Sequence, residues 1–118
     1  MAKKVLIVDD SLYMRTLIKD ALSGSGYEIV GMAANGEAAI DMAFELQPDI
    51  ITLDNILPDM LGIDILKTLK EEGLASKVVM ISAVGQQSVI DEGMKLGAND
   101  YIVKPFTTEQ LVDIINKC

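Results

Sequence analysis

Histidine is absent from the 118 residues. This removes Ser/His/Asp triads, Cys/His dyads and imidazole-based zinc sites together, since each needs a ring nitrogen that binds a proton or a metal near neutral pH. Cysteine occurs once, as Cys118, so no intramolecular disulfide can form and no thiolate ligand spacing exists; a packing role is expected. No apolar run is long enough to cross a bilayer. The longest uncharged stretch, residues 78–90, is interrupted by Ser82, Gly85, Gln86, Gln87 and Ser88, and only four apolar residues separate Lys4 from Asp9. Neither a signal peptide nor a membrane span is expected, which places the protein in the cytoplasm. Positive charge is in the minority, with 10 basic against 18 acidic residues and a formal charge of -8. That balance repels nucleic-acid phosphates and anionic membrane surfaces, leaving proteins as the expected partners.

What the chain does contain is globular composition, with 50% apolar and 24% charged residues, enough for one core in one domain. Short apolar runs at 5–8, 27–30, 50–53, 78–81 and 101–103 are bounded by charged or turn residues and predict five strands. Between them the period becomes helical: Met14, Leu17, Ile18, Ala21 and Leu22 share one face, as do Ala39, Met42, Ala43 and Leu46, and Leu111, Ile114, Ile115 and Cys118. Two more helices are predicted near 62–71 and 86–96. Gly26, Gly73 and Gly97 stand where helices end, and Thr107 with Gln110 forms a capping-box pattern opening the last one. Strict β-α alternation forces parallel pairing through right-handed crossovers, giving an α/β doubly wound, flavodoxin-like sheet of five parallel strands with five helices.

In an open parallel sheet, ligands bind outside the carboxyl ends of the strands where the strand order reverses. The first strand runs into Asp9 and Asp10, the third into Asp54, the fourth into Ser82 and Ala83, and the fifth into Lys104 and Pro105. Taken singly, such residues are usually turn formers, helix caps or solvated loop lysines. Together they converge on one rim. Three carboxylates in one crevice repel one another unless a proton or cation settles among them. Oxygen-only ligands select a hard divalent ion, magnesium or manganese. A carboxylate beside such an ion can attack phosphorus, with Lys104 and the ion neutralising the transferred oxygens and the Ser82 hydroxyl adding a hydrogen bond. Asp54, alone on the third strand, is the candidate nucleophile, and Asp9 and Asp10 are the candidate metal-holding pair.

At these positions the sequence resembles the receiver domain of two-component response regulators over essentially its whole length. The resemblance rests on V-L-I-V-D-D at 5–10, D-I-I-T-L-D at 49–54, Pro58, Gly62, S-A at 82–83 and Y-I-V-K-P-F at 101–106. It implies strand order 2-1-3-4-5, one receiver domain spanning 1–118 without an effector domain, and phosphorylation of Asp54. It also implies magnesium held by Asp9, Asp10, Asp54 and the backbone carbonyl of Ile56. Lys104 would contact the phosphoryl group. Ser82 and Tyr101 would form the switch that alters the face of the fourth helix, fifth strand and fifth helix. The Lys104–Pro105 bond is expected to be cis, as a proline permits.

Within the family, D-D-S-L-Y-M-R at 9–15 and S-A-V-G-Q-Q at 82–87 resemble CheY-type chemotaxis regulators. That resemblance implies a monomer that takes its phosphoryl group from a CheA-type histidine kinase, acts on a flagellar motor switch protein and meets a phosphatase. A stand-alone phosphorelay or stress-signalling receiver would differ only in partners. Departures from the common pattern are Ser82 in place of threonine, Leu61 before Gly62, and apolar Ile56 and Val84 where polar residues often stand. An aspartyl-phosphate phosphatase of the haloacid dehalogenase type needs a second acid two residues after the nucleophile, where Ile56 stands. A dinucleotide-binding module needs a glycine-rich turn after the first strand, where acids stand instead.

Overall fold

The computed structural model describes residues 2–118. The elements alternate as β1 (Lys4–Val8), α1 (Leu12–Ser23), β2 (Glu28–Ala33), α2 (Gly36–Leu46), β3 (Ile50–Asp54), α3 (Gly62–Glu71), β4 (Lys77–Ala83), α4 (Gln87–Lys95), β5 (Asp100–Lys104) and α5 (Thr108–Asn116). The strands form one parallel sheet in the order β2-β1-β3-β4-β5, the order the resemblance implied.

Each face of the sheet buries a separate apolar cluster, because successive residues of a strand point to opposite sides. Val5, Ile7, Ile50, Val79 and Ile81 pack against Ile18 and Leu22 of α1 and Leu111 and Ile115 of α5. Leu6, Val8, Ile51, Leu53 and Met80 pack against Ala39 and Ala43 of α2 and Ile65, Leu66 and Leu69 of α3. β1, β3 and β4 are buried on both sides, which is why their sequences lack polar alternation. Among the described residues no helix is long and apolar enough to cross a membrane.

Helix ends follow local chemistry. Ser11 and Asn35 cap α1 and α2 through hydrogen bonds from the backbone N–H groups of Met14 and Ala38. Thr107 and Gln110 form the expected capping box at α5. Gly26, Gly73 and Gly97 have φ of 91°, 77° and 109°, the left-handed region in which a side chain is costly.

The second strand departs from its expected limits: it runs from Glu28 to Ala33 rather than over 27–30. Gly31 continues the strand because it pairs with Leu6 of β1, and a Cβ there would lie 3.1 Å from Leu46 Cδ1 and 3.3 Å from Leu6 Cδ1. Close packing of α2 on the sheet, not a turn, favours a small residue at that point. Cys118 lies beyond α5 but packs against the α1–α5 cluster.

Candidate functional site

The strand order reverses between β1 and β3, which are paired with Val8 beside Leu53. The next residue of each strand is an aspartate, so Asp9 and Asp54 emerge side by side. Asp54 is the last residue of β3 rather than the first after it, and Ser82 and Lys104 likewise lie within the final two residues of β4 and β5. One oxygen from each of Asp9, Asp10 and Asp54 falls within 4.8 Å of the other two. The donor set is three carboxylates with neither sulfur nor imidazole, which suits a hard divalent cation such as magnesium.

Lys104 Nζ reaches across this group, 3.2 Å from Asp9 Oδ2 and 3.4 Å from Asp54 Oδ1. Asp9 is fully buried and Asp54 only 8% exposed, whereas Asp10 stands on the surface. The other oxygen of Asp9 accepts from Ser11 N–H at 2.9 Å, and the Asp9 backbone N–H donates to Ala33 O at 3.0 Å. Asp9 is thereby fixed from two sides. Burial, followed by repulsion from Asp9, pushes the Asp54 carboxyl from 3.8 up to about 6, with Lys104 opposing the rise. Asp54 therefore carries its charge at a cost that Lys104 offsets only in part.

The backbone after Asp54 is closed tightly. Gly62 N–H donates to Asn55 O, Leu57 N–H to Met60 O at 3.2 Å, and Ile56 bridges Leu61. A Cβ on Gly62 would sit 2.3 Å from the Asp54 carbonyl oxygen, so only glycine lets α3 start against the end of β3. Ile56, two residues after Asp54, is 55% exposed, and Val84, two residues after Ser82, is 75% exposed.

Ser82 is 1% exposed, and its hydroxyl has no hydrogen-bond partner. Tyr101 is partly buried against the cluster beneath α2 and α3. With Val84, Lys104, Gln110 and Ile114 it lines a cleft of about 550 Å³ beside β5. The Lys104–Pro105 bond is cis.

The structure thus brings Asp9, Asp10, Asp54 and Lys104 into one cluster. Ser82 stands at the end of the neighbouring strand, and Tyr101 at the cleft beside it. Sequence reasoning missed two residues nearby. Arg15 Nη1 donates to the Asp9 carbonyl at 2.7 Å; a cation in the first turns of α1 after an acidic pair was the available signal. Asp59 is bound to the start of α2, 22 and 23 residues away in sequence, and no local pattern could have revealed that.

Residues 5–116 match the response regulator receiver domain. The chain is 44% identical over 117 residues to the chemotaxis protein CheY of Thermotoga maritima, covering 99% of this chain and 98% of that protein. It is 43% identical over 117 residues to CheY of Bacillus subtilis, with coverage of 99% and 98%. It also superposes, with a TM-score of 0.93 and 32% identity, on a chain of the CheX-CheY-BeF3-Mg+2 complex from Borrelia burgdorferi, covering 98% of this chain and 87% of that one. An acidic cluster at the point of strand reversal, a lysine bridging two of its members and sequence similarity along nearly the whole chain agree: this chain belongs to the response regulator receiver domain family.

Proposed function

We propose that Asp54 accepts a phosphoryl group from a phosphohistidine on a CheA-type kinase and that the acyl phosphate acts as a signal. The observation that carries this reading is the position of Lys104, within reach of both Asp9 and Asp54. A cation there can neutralise oxygens on a group attached to Asp54. A carboxylate oxygen of Asp54 attacks phosphorus, the P–N bond breaks, and the imidazole of the kinase leaves with the electron pair. Asp9, Asp10, Asp54 and the Ile56 carbonyl would hold magnesium, which when bound supplies further charge neutralisation at the phosphoryl oxygens. Protein chemistry does not supply the histidine from this chain, which has none.

Readout falls to Ser82 and Tyr101. A buried hydroxyl with no partner is ready to bond a phosphoryl oxygen at the adjacent strand end. Its movement opens space toward Tyr101 and biases the surface of α4, β5 and α5 between two states. Similarity to the chemotaxis protein CheY of two bacteria supports a role in chemotaxis; on this reading the chain acts as a monomeric receiver, with a flagellar motor switch protein as target and a separate phosphatase ending the signal. The haloacid dehalogenase alternative lacks its second acid, since Ile56 occupies that place.

Incubation with acetyl phosphate and magnesium is expected to add one phosphoryl group, labile to hydroxylamine and absent from Asp54→Asn. Mass spectrometry that finds the group on a serine or threonine, or retained in Asp54→Asn, would overturn the assignment.

A further inference from the structure

The segment after Asp54 is tied to the start of α2, an element that contributes none of the three carboxylates. Asp59, at the tip of residues 55–62, accepts from Gly36 N–H at 2.7 Å through Oδ1 and from Glu37 N–H at 3.0 Å through Oδ2. These are orphan donors of the first turn of α2, and a carboxylate is favoured there by the partial positive charge of the helix end. Asn35 already supplies the ordinary side-chain cap to Ala38 N–H at 2.8 Å. The helix thus has two caps, one from its own chain and one from the loop following Asp54.

The contact is close enough to constrain both partners. A Cβ on Gly36 would lie 2.2 Å from Met60 Cγ and 3.2 Å from Asp59 Oδ1, so the loop rests directly on the backbone of α2. At its base the loop is fixed by Gly62 N–H to Asn55 O, by Ile63 N–H to Asn55 Oδ1 at 3.3 Å, and by Leu57 buried in the core. Its tip carries Pro58 and Asp59 on the surface, and the two bonds that Asp59 accepts, with Met60 packed beside Gly36, hold that tip to the helix.

We propose that Asp59 is a positioning residue: by clamping the 55–62 loop onto α2, it presets the Ile56 backbone for the metal gathered by Asp9, Asp10 and Asp54. This rests on the magnesium site proposed above. Groups that orient metal ligands without touching the metal commonly change affinity by ten-fold or more. Ile56 joins the fixed base to the tip, and holding the tip removes freedom that would otherwise be lost when the ion binds, so the clamp lowers that entropic cost.

The test separates the clamp from simple helix capping. Magnesium chloride alone is titrated into isotopically labelled wild type, Asp59→Ala, Asp59→Asn and Asn35→Ala, and affinity is read from amide shifts. Melting temperature in EDTA is recorded for each. Both alanine variants lose a cap and are expected to melt lower. Only Asp59→Ala is expected to bind magnesium more weakly, by about ten-fold, with Asp59→Asn intermediate because it keeps one acceptor oxygen. Unchanged affinity in Asp59→Ala, or an equal loss in Asn35→Ala, overturns the clamp while leaving the metal site standing. Wild type that shows no saturable shifts overturns the metal site itself, and the clamp's role with it. Should Asp59→Ala fail to fold, the comparison of Asp59→Asn with Asn35→Ala decides.

Discussion

At the amino end of the sheet, polar side chains find backbone partners. Asp49 accepts from Lys4 N–H at 2.7 Å, Ser76 donates its hydroxyl to Pro48 O, and Asn99 accepts from Val78 N–H at 2.9 Å. At the carboxyl end, three carboxylates crowd together, Asp54 is pushed up to about 6, and the Ser82 hydroxyl is buried without a partner. The same strands supply both ends. One end is satisfied and knits the strands together, and the other gathers carboxylates and a buried hydroxyl that the chain itself does not fully pair.

The contrast is broken most directly by magnesium. Because the ion relieves repulsion that only the folded chain imposes, it is expected to stabilise wild type by about 2.7 kcal/mol at one hundred times its dissociation constant. In Asp10→Ala that gain should vanish, whereas Ser76→Ala at the opposite end should keep it. An equal rise in melting temperature for wild type and Asp10→Ala would show that the carboxyl end is not a metal site.

Protons act on the same end. Asp54 has a folded-state value of about 6 against 3.8 for the free group, so the folded state holds the proton more tightly. Its stabilising contribution is complete below 3.8 and is lost as pH rises through about 6. Without divalent ions, wild type should lose about 2 kcal/mol relative to Asp54→Asn across this window, allowing for partial solvent screening. Urea unfolding of both proteins at pH 4 and pH 7.5 measures the difference. A constant gap between them would remove Asp54 as a source of strain. Asp59, held below the usual carboxylate range by the Gly36 and Glu37 N–H groups, has the opposite sign: its contribution is present above the ordinary value and lost as pH falls.

Hydrolysis of an Asp54 phosphate needs a water in line behind phosphorus, and Ile56 and Val84, both exposed at the rim, offer it no side-chain hydrogen bond. Introducing Ile56→Asn with Val84→Glu is expected to accelerate loss of the phosphoryl group by about ten-fold, the equivalent of about 1.4 kcal/mol. Decay followed in magnesium checks this, and an unchanged or slower rate would assign control to the backbone and Lys104.

The smallest effect concerns two buried serines. Ser76→Ala strands the Pro48 carbonyl and should cost about 1 kcal/mol, while Ser82→Ala removes a hydroxyl that bonds nothing and should be neutral or mildly stabilising. Chemical denaturation of both variants tests the asymmetry. Equal losses would mean that the two ends do not differ in this way.

Sequence by itself determined the order of elements, the parallel sheet and the residues of the acidic rim, because hydrophobic period, capping signals and strand ends are local properties of the chain. Val5 to Val8 must be buried on both faces, Thr107 with Gln110 must open a helix, and an aspartate ending such a strand must meet whatever neighbours it. Tertiary structure alone decided what those neighbours do to one another. That Gly31 lies within a strand depends on its pairing with Leu6 of β1. Asp54, but not every surface aspartate, is driven toward protonation by burial and by Asp9. The Ser82 hydroxyl is left without a bond, and Asp59 reaches back to α2. Each of these results from distances between segments far apart in the chain, and such distances are set by packing rather than by any pattern a single segment carries.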